Sequence, residues 1–534
     1  MPLPSLRADP LSRALYAEGA GIARALPAAV MVARTVDDVV SAVRWARETG
    51  ARLVPRGSGS GMAGGAVGTD VVLDVSRLRA LHAVDGMRRR VWAAPGVLRD
   101  EIDAVARAAG LWFPVDPSSG AFCTVGGMAS TNAAGAHTLR HGSMRAWVTA
   151  LDCVFDDGTR ATVRRREPPP DVAAIARFLD GLAGVIRLEP EVLCEHVGVR
   201  KDSSGYAIGA YARSGELVDL LVGSEGTLAL ITGVELSLAP LPGATSSLLA
   251  QFASLEQAVD GATRARLAGA SACEMLDRTF LDVAAPAAAG LAVEGGTETV
   301  LMAEAEGSDA ESAAALARAL AAEFTAAGAT SVRLALDTQA ESELWALRHA
   351  ASPILARLDP ALKSMQFIED GAVPPAALPE YVRGVRRVLA AHDTRGVIFG
   401  HAGDAHVHVN PLVDVRASDW RERVAGMLDE VTLLVSRLGG TTSGEHGDGR
   451  LRTPLSRRVW PARTERIFAE VKQAFDPDGI FNPGVKVALP GQEALNEIKY
   501  DPGLPPLPSA ARAALDLVER ERGYARSRLD LITS

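Results

Sequence analysis

The sequence predicts an α+β protein in at least two parts, and two observations carry that prediction, with a third pointing to a site. Between residues 27 and 238 short apolar strands alternate with four glycine-rich loops. After Pro240-Leu241-Pro242-Gly243 the chain changes character. Long alanine-rich helical runs (310–327, 378–392, 420–438) then alternate with strands (247–252, 299–303, 331–335, 365–369, 397–399), a pattern of helices packed on one face of a sheet. Between residues 400 and 450, finally, four of the ten histidines fall beside carboxylates.

The first strand, residues 30–32, leads to Thr35, a natural helix cap, with Asp37 and Asp38 in the first turn and Val39, Val40, Val43 and Ala46 forming an apolar face. A strand at 53–55 runs into Arg56-Gly57-Ser58-Gly59-Ser60-Gly61-Met62-Ala63-Gly64-Gly65. Residues 59–64 match GxGxxG, but a second strand, 71–75, follows where a nicotinamide-binding turn would open a helix. What survives is a loop between strands whose unhindered backbone N–H groups can approach a pyrophosphate. Further small-residue segments lie at 116–135, around His141-Gly142-Ser143, and at 222–228. Each alone is a tight turn; four together suggest one extended ligand wrapped in backbone amides. A helix is expected at 464–475, and beyond Pro483 a proline-rich stretch leads to a charged helix at 510–529, packed on the surface or used for association.

A chain of 534 residues allows two to four domains, and its net charge of −9 argues against a nucleic-acid binder. Cys123, Cys153, Cys194 and Cys273 are isolated, as expected of reduced core residues, and offer no iron–sulfur cluster within the chain. No signal peptide is evident at the N-terminus, and the apolar stretch 218–241 is too interrupted to span a membrane. The expectation is a soluble cytoplasmic protein, with peripheral membrane contact left open.

The segments Gly400-His401-Ala402-Gly403-Asp404-Ala405-His406-Val407-His408-Val409-Asn410 and Ser443-Gly444-Glu445-His446-Gly447 carry the ligand set of a divalent metal such as zinc or manganese. His406 and His408, two apart on an extended segment, point to one face, and His401 can converge with them across the Gly403-Asp404 turn. The plainer alternative is a set of hydrogen-bonded histidines at strand ends. His137 and His141 are expected to be structural or to touch the ligand of the glycine loops.

Taken in order, the loops at 55–65, 116–135 and 223–227, the two segments above, and Phe475-Asp-Pro-Asp-Gly-Ile-Phe-Asn-Pro-Gly484 resemble flavoproteins of the vanillyl-alcohol oxidase/para-cresol methylhydroxylase type. Within that group they look most like the D-2-hydroxyacid dehydrogenases acting on D-lactate, glycolate or D-2-hydroxyglutarate, over roughly residues 20–487. The resemblance implies a bipartite FAD-binding domain of two α+β subdomains (1–241) and a substrate or cap domain with helices on an antiparallel sheet (242–460). It also implies a C-terminal segment returning to the FAD domain (461–487), followed by the tail (488–534). Implied FAD contacts are Arg56, Gly57, Ser58, Gly59, Ser60, Gly61, Pro117, Gly126, Gly127, Ser130, Thr131, Gly135, Gly142, Glu225, Gly226, Ile231 and Asn482. FAD is expected to be non-covalent, because the first glycine loop lacks the histidine that often tethers it. The metal ligands would be His401, His408 and Glu445, and His446 the base beside the flavin. Asn410 would lie near the substrate, Arg348 would clamp its carboxylate, and Ser352 would assist. Ala405-His406 stands where the family has Gly-Asn, and no clear second basic substrate contact follows Arg348, Lys363 being the candidate.

Oxidising a 2-hydroxyacid needs a proton removed from the hydroxyl as hydride leaves the adjacent carbon. A metal acidifies the hydroxyl, a neutral histidine takes the proton, and flavin takes the hydride. A separate acceptor (a quinone, an electron-transfer protein or an iron–sulfur protein) would then reoxidise the flavin, and a homodimer is an admissible assembly. The competing readings are a related FAD oxidase acting on another alcohol or phenol, and a flavin-free metal-dependent hydrolase.

Overall fold

A computed structural model of the chain describes residues 5–188, 196–284, 293–349, 361–496 and 498–532, with side chains omitted at 283–284 and 346–349. Its first unit is built on a three-stranded parallel sheet in the order Ala29–Val32, Val71–Asp74, Leu53–Arg56. Helix Val36–Thr49 starts at Thr35, whose Oγ1 accepts from Asp38 N (3.1 Å) while Asp38 accepts from Thr35 N (2.9 Å), a reciprocal cap. Its Val39, Val40, Val43 and Ala46 pack against Met31, Leu53 and Leu73. No helix interrupts residues 57–70, so the glycine-rich turn stays an open loop at the end of a strand.

The second unit is an antiparallel sheet in the order Arg90–Ala93, Leu230–Ser237, Val148–Val154, Arg160–Arg164. Helix Ala462–Phe475 inserts Ile467, Phe468, Val471 and Phe475 into its core. The chain then reaches the first sheet, where Leu53 N donates to Ile480 O (2.7 Å) and Asn482 N to Leu53 O (2.8 Å). The 116–135 segment is not wholly loop. Val125, Met128 and Ala129, buried at helical spacing, form one face of helix Val125–Thr131.

The third unit is an eight-stranded sheet. Its path runs Ser331–Ala335, Ala244–Phe252, Thr299–Gly307, Ala272–Asp277, Arg395–His401, His406–Asp414, Leu362–Ser364, with Gly371–Ala372 also on His406–Asp414, and its pairings are antiparallel. Helices Leu255–Leu267, Ala310–Ala326, Leu378–Ala391 and Trp420–Arg437 share its large core. Strand residues alternate between two cores: Leu248 and Ala250 belong to the large one, whereas Leu249 packs with Phe280 and Leu344 from helices Arg278–Ala284 and Thr338–His349. Helices therefore cover both faces, where the sequence pattern gave one.

A strand expected at 365–369 is absent. Met365 N still donates to Pro411 O (2.9 Å), but the chain then leaves the sheet so that Glu369 and Asp370 turn inward to meet the buried Arg452. The tail helix, Ser509–Glu521, is shorter than the expected 510–529 and ends at Arg522 in the left-handed region (φ 54°). Its Ala511 and Ala514 pack on Ala14 and Leu15 of helix Pro10–Leu15. Among the described residues no helix is long and apolar enough to cross a membrane.

Candidate active site and metal centre

A cavity of about 1740 Å³ lies where the three units meet. That is larger than the ~300–1,000 Å³ of an ordinary small-molecule site. Every flavin contact expected from the sequence lines it except Gly142, which instead uses its positive φ (77°) to turn the chain between two short helices. Arg56 is buried and does not reach out as a ligand arm: its guanidinium donates to the carbonyls of Tyr16, Glu18 and Ala66 and so shapes the loop. Asn482 donates to Gly65 O (3.1 Å) and Glu225 O (2.7 Å), tying the C-terminal segment to two of the glycine loops. The tail also reaches the cavity: Lys499, Tyr500, Arg522 and Tyr524 line it, and Tyr524 packs on Phe122 at 5.4 Å between ring centroids.

His401, His408, Asn410, Glu445 and His446 line the same cavity. The two histidine-bearing strands form a hairpin in which His401 faces His406 and Phe399 faces His408. Two glycines permit the close approach: a Cβ on Gly400 would lie 2.9 Å from His406 O, and one on Gly444 2.7 Å from the His406 ring. Asp370 places the other segment by accepting from Glu445 N (3.2 Å) and His446 N (3.0 Å).

The four imidazoles share a design. Each has one ring nitrogen held from outside: His401 Nδ1 by Glu274 (2.6 Å), His406 Nε2 by Asp370 (2.8 Å), His408 Nδ1 by the Glu369 carbonyl (3.2 Å), His446 Nδ1 by the Glu369 carboxylate (2.9 Å). The other nitrogens converge on Glu445. Its Oε1 lies 3.5 Å from His401 Nε2, 3.3 Å from His408 Nε2 and 3.6 Å from His446 Nε2, and its Oε2 lies 3.9 Å from His406 Nδ1. The buried His406 Nδ1 has no hydrogen-bond partner. Outer anchors with inner nitrogens turned toward one carboxylate are what a metal site requires of its histidines, so the donor set fits a divalent cation. His401, His406, His408 and Glu445 can offer donor atoms within 4.8 Å of one another.

Known proteins match most of the chain. Residues 27–164 match the family described as FAD binding domain, and residues 241–485 the one described as FAD linked oxidases, C-terminal domain. The D-lactate dehydrogenase of Archaeoglobus fulgidus is 30% identical, over 84% of this chain and 88% of its own length. The chain belongs to the FAD-linked oxidase family. It is an FAD-dependent oxidoreductase. The Bacillus subtilis glycolate oxidase subunit GlcD is 29% identical over 86% of this chain and 89% of its own length. Among solved structures, the 4-ethylphenol oxidase of Gulosibacter chungangensis in its isoeugenol complex superposes with a TM-score of 0.65 at 16% identity. It covers 91% of this chain and 94% of its own, a likeness of fold.

Charge is unevenly placed in this FAD-linked oxidase. Burial works against ionised Glu445, yet the Lys201 ammonium and His401 hold its carboxyl well below the usual range. Burial pushes His406 down to about 4, which keeps that imidazole neutral. Burial also disfavours charged His446, but the carboxylates of Glu369 and Asp370 overcome it and raise the group to about 9. A cation on Glu445 would oppose that rise. Arg452 donates to Asp370 (2.8 Å) and to Glu369, fixing both carboxylates.

Sequence reasoning did not single out Glu369, Asp370, Arg452, Lys201 or Glu274 as members of the site. Of these, Glu369-Asp370 was visible as a charged pair beside the apolar Phe367-Ile368 and Gly371-Ala372-Val373, whereas Lys201 lay between Arg200 and Asp202 in a run of charge that singles out none of its members. Arg348 and Ser352 fall outside the residues whose side chains are described. Lys363 lines the cavity from strand Leu362–Ser364, 5.5 Å above the Tyr500 ring.

Proposed function

We propose that this oxidoreductase is a divalent-metal-assisted dehydrogenase of D-2-hydroxyacids of the D-lactate, glycolate or D-2-hydroxyglutarate class, yielding the 2-oxoacid. The observation that carries the reading is the convergence of three imidazole Nε2 atoms on Glu445 Oε1 within 3.6 Å, inside the cavity lined by the glycine loops. The names of the relatives, a D-lactate dehydrogenase and a glycolate oxidase subunit, support the substrate class.

When bound, FAD supplies the two-electron acceptor, and a zinc or manganese ion supplies the positive charge that acidifies a substrate hydroxyl. His401, His408 and Glu445 would hold the ion, with His406 as a further donor. In its neutral form, which a cation on Glu445 would favour, His446 takes the hydroxyl proton at Nε2, while Glu369 fixes Nδ1 and steadies the imidazolium that results. Asn410 donates to the substrate, and Arg348 and Lys363 meet its carboxylate. Loops at 57–61 and 117–131 cradle the FAD, which is held without a covalent bond. A separate acceptor reoxidises it.

Anaerobic mixing with a panel of D- and L-2-hydroxyacids tests the reading through loss of flavin absorbance. Bleaching by D-acids is expected. Bleaching by L-acids alone, or by phenols and not hydroxyacids, would replace it with an oxidase of other substrates.

A further inference from the structure

We propose that Lys201 is a positioning residue that restricts Glu445 to a single metal-facing oxygen and keeps the ion from being held too tightly. The proposal rests on the metal reading above and adds a role for a residue contributed by the flavin-binding half of the chain.

Lys201 is wholly buried, with a side chain 0% exposed. Its Nζ donates to Gly135 O (2.9 Å) and to Glu445 Oε2 (3.0 Å), and lies 3.9 Å from Asp404 Oδ2. The two oxygens of Glu445 thus have separate surroundings. Oε1 faces the Nε2 atoms of His401, His408 and His446; Oε2 faces the ammonium, with His406 Nδ1 at 3.9 Å. A carboxylate gripped this way has one oxygen to give. If it chelated through both, Oε2 would be shared between the ion and the ammonium, or a buried ammonium would lose its closer anionic partner and keep only Asp404 at 3.9 Å; either is costly. One-oxygen binding saves a coordination position, and catalytic sites need that position for substrate.

The charge acts in a second way. A cation placed beyond the carboxylate repels a divalent ion on the near side, because charges a few ångströms apart in a buried site interact strongly. The ion is then bound less tightly than its donors alone would bind it, and less of its charge is neutralised before substrate arrives. Gly135 also lines the flavin cavity, so the same ammonium couples the cofactor loop to the metal carboxylate.

The test compares the full-length holoenzyme with Lys201→Met and Lys201→Arg. Zinc affinity is read by competition with a chromophoric chelator, flavin content from absorbance, and flavin reduction by D-lactate under anaerobic conditions. Lys201→Met should retain FAD, bind zinc tighter by about tenfold or more, and reduce its flavin more slowly; Lys201→Arg, keeping the charge, should restore the wild-type zinc affinity. A merely structural lysine would give weaker zinc binding on substitution, and unchanged or weaker binding in Lys201→Met overturns the proposal. Should Lys201→Met not hold flavin, Lys201→Gln carries the same expectation and the same overturning result. Wild-type enzyme that binds neither zinc nor manganese would instead overturn the metal reading itself, and this proposal with it.

Discussion

His446 Nδ1 lies 2.9 Å from both carboxylate oxygens of Glu369, so the ring is fixed with Nε2 turned toward Glu445 and the cavity. A base held this way needs little reorganisation to accept a proton. His446→Ala should therefore keep its flavin but reduce it roughly 100-fold more slowly or worse, the usual scale of a lost general base. Glu369→Gln, which can still accept from Nδ1–H but no longer carries charge, should fall between the two. Stopped-flow bleaching of the flavin under anaerobic conditions measures both. Equal rates for wild type and His446→Ala would remove the base from the account.

The histidines around Glu445 should differ in metal retention. His401→Ala and His408→Ala each delete a nitrogen 3.3–3.5 Å from Oε1 and should leave the purified protein short of one ion per chain. His406→Ala removes a donor that sits farther off, on the Oε2 side at 3.9 Å, and should weaken binding by roughly tenfold without abolishing it. Elemental analysis and chelator competition distinguish these outcomes.

A second cluster joins the flavin-binding half to the third unit. His137 Nδ1 meets Asp116 (2.6 Å), its Nε2 meets Glu304 (2.8 Å), and His141 Nε2 meets Glu306 (2.9 Å). Burial disfavours charged His137, but Asp116 and Glu304 raise its pKa well above the ordinary 6.5. A group with a raised folded pKa stabilises fully below its unfolded value and loses that contribution as pH rises through the folded one. Wild type should therefore lose thermal stability above neutral pH, with this histidine contributing at most about 1.4 kcal/mol per pH unit. In His137→Ala that alkaline slope should be shallower, as melting curves across pH 6–10 would record.

Much of this architecture was legible in the sequence, for identifiable reasons. Thr35 with Asp38 marked a helix start, and the absence of a helix after Gly64 kept the first glycine loop open. The hairpin placing His401, His406 and His408 followed from period-two spacing. What could not be read were contacts between distant segments. Glu369 looked like the end of a strand and Asp370 like the residue after it, since nothing local signals that Arg452 and His446 wait for them across the fold. Lys201 sits 244 positions from Glu445, and no pattern links them. Strand Ala272–Asp277 went unrecognised although its Glu274 anchors His401, because its apolar run is short and follows an alanine-rich helix.

The tail should matter for cofactor retention. Tyr524 is buried against Phe122, Arg522 lies over the same ring at 5.0 Å and donates to Ser118 O (3.3 Å), and both tail residues line the cavity. Tyr524→Ala should speed FAD release by several-fold and expose the tail to proteases, at a stability cost of about 3 kcal/mol typical of a lost buried aromatic. Fluorescence of released FAD and a time course of limited proteolysis check this. Unchanged release would make the tail a bystander to the cofactor.

Metal dependence of flavin reduction decides whether a divalent cation takes part in the oxidation. The enzyme should be stripped with a chelator until elemental analysis finds no zinc or manganese, with FAD still bound, and then mixed anaerobically with a D-2-hydroxyacid it oxidises. Reduction should be nearly abolished and should return on adding back one equivalent of zinc or manganese. Flavin that bleaches at the original rate in verified metal-free protein would contradict the account.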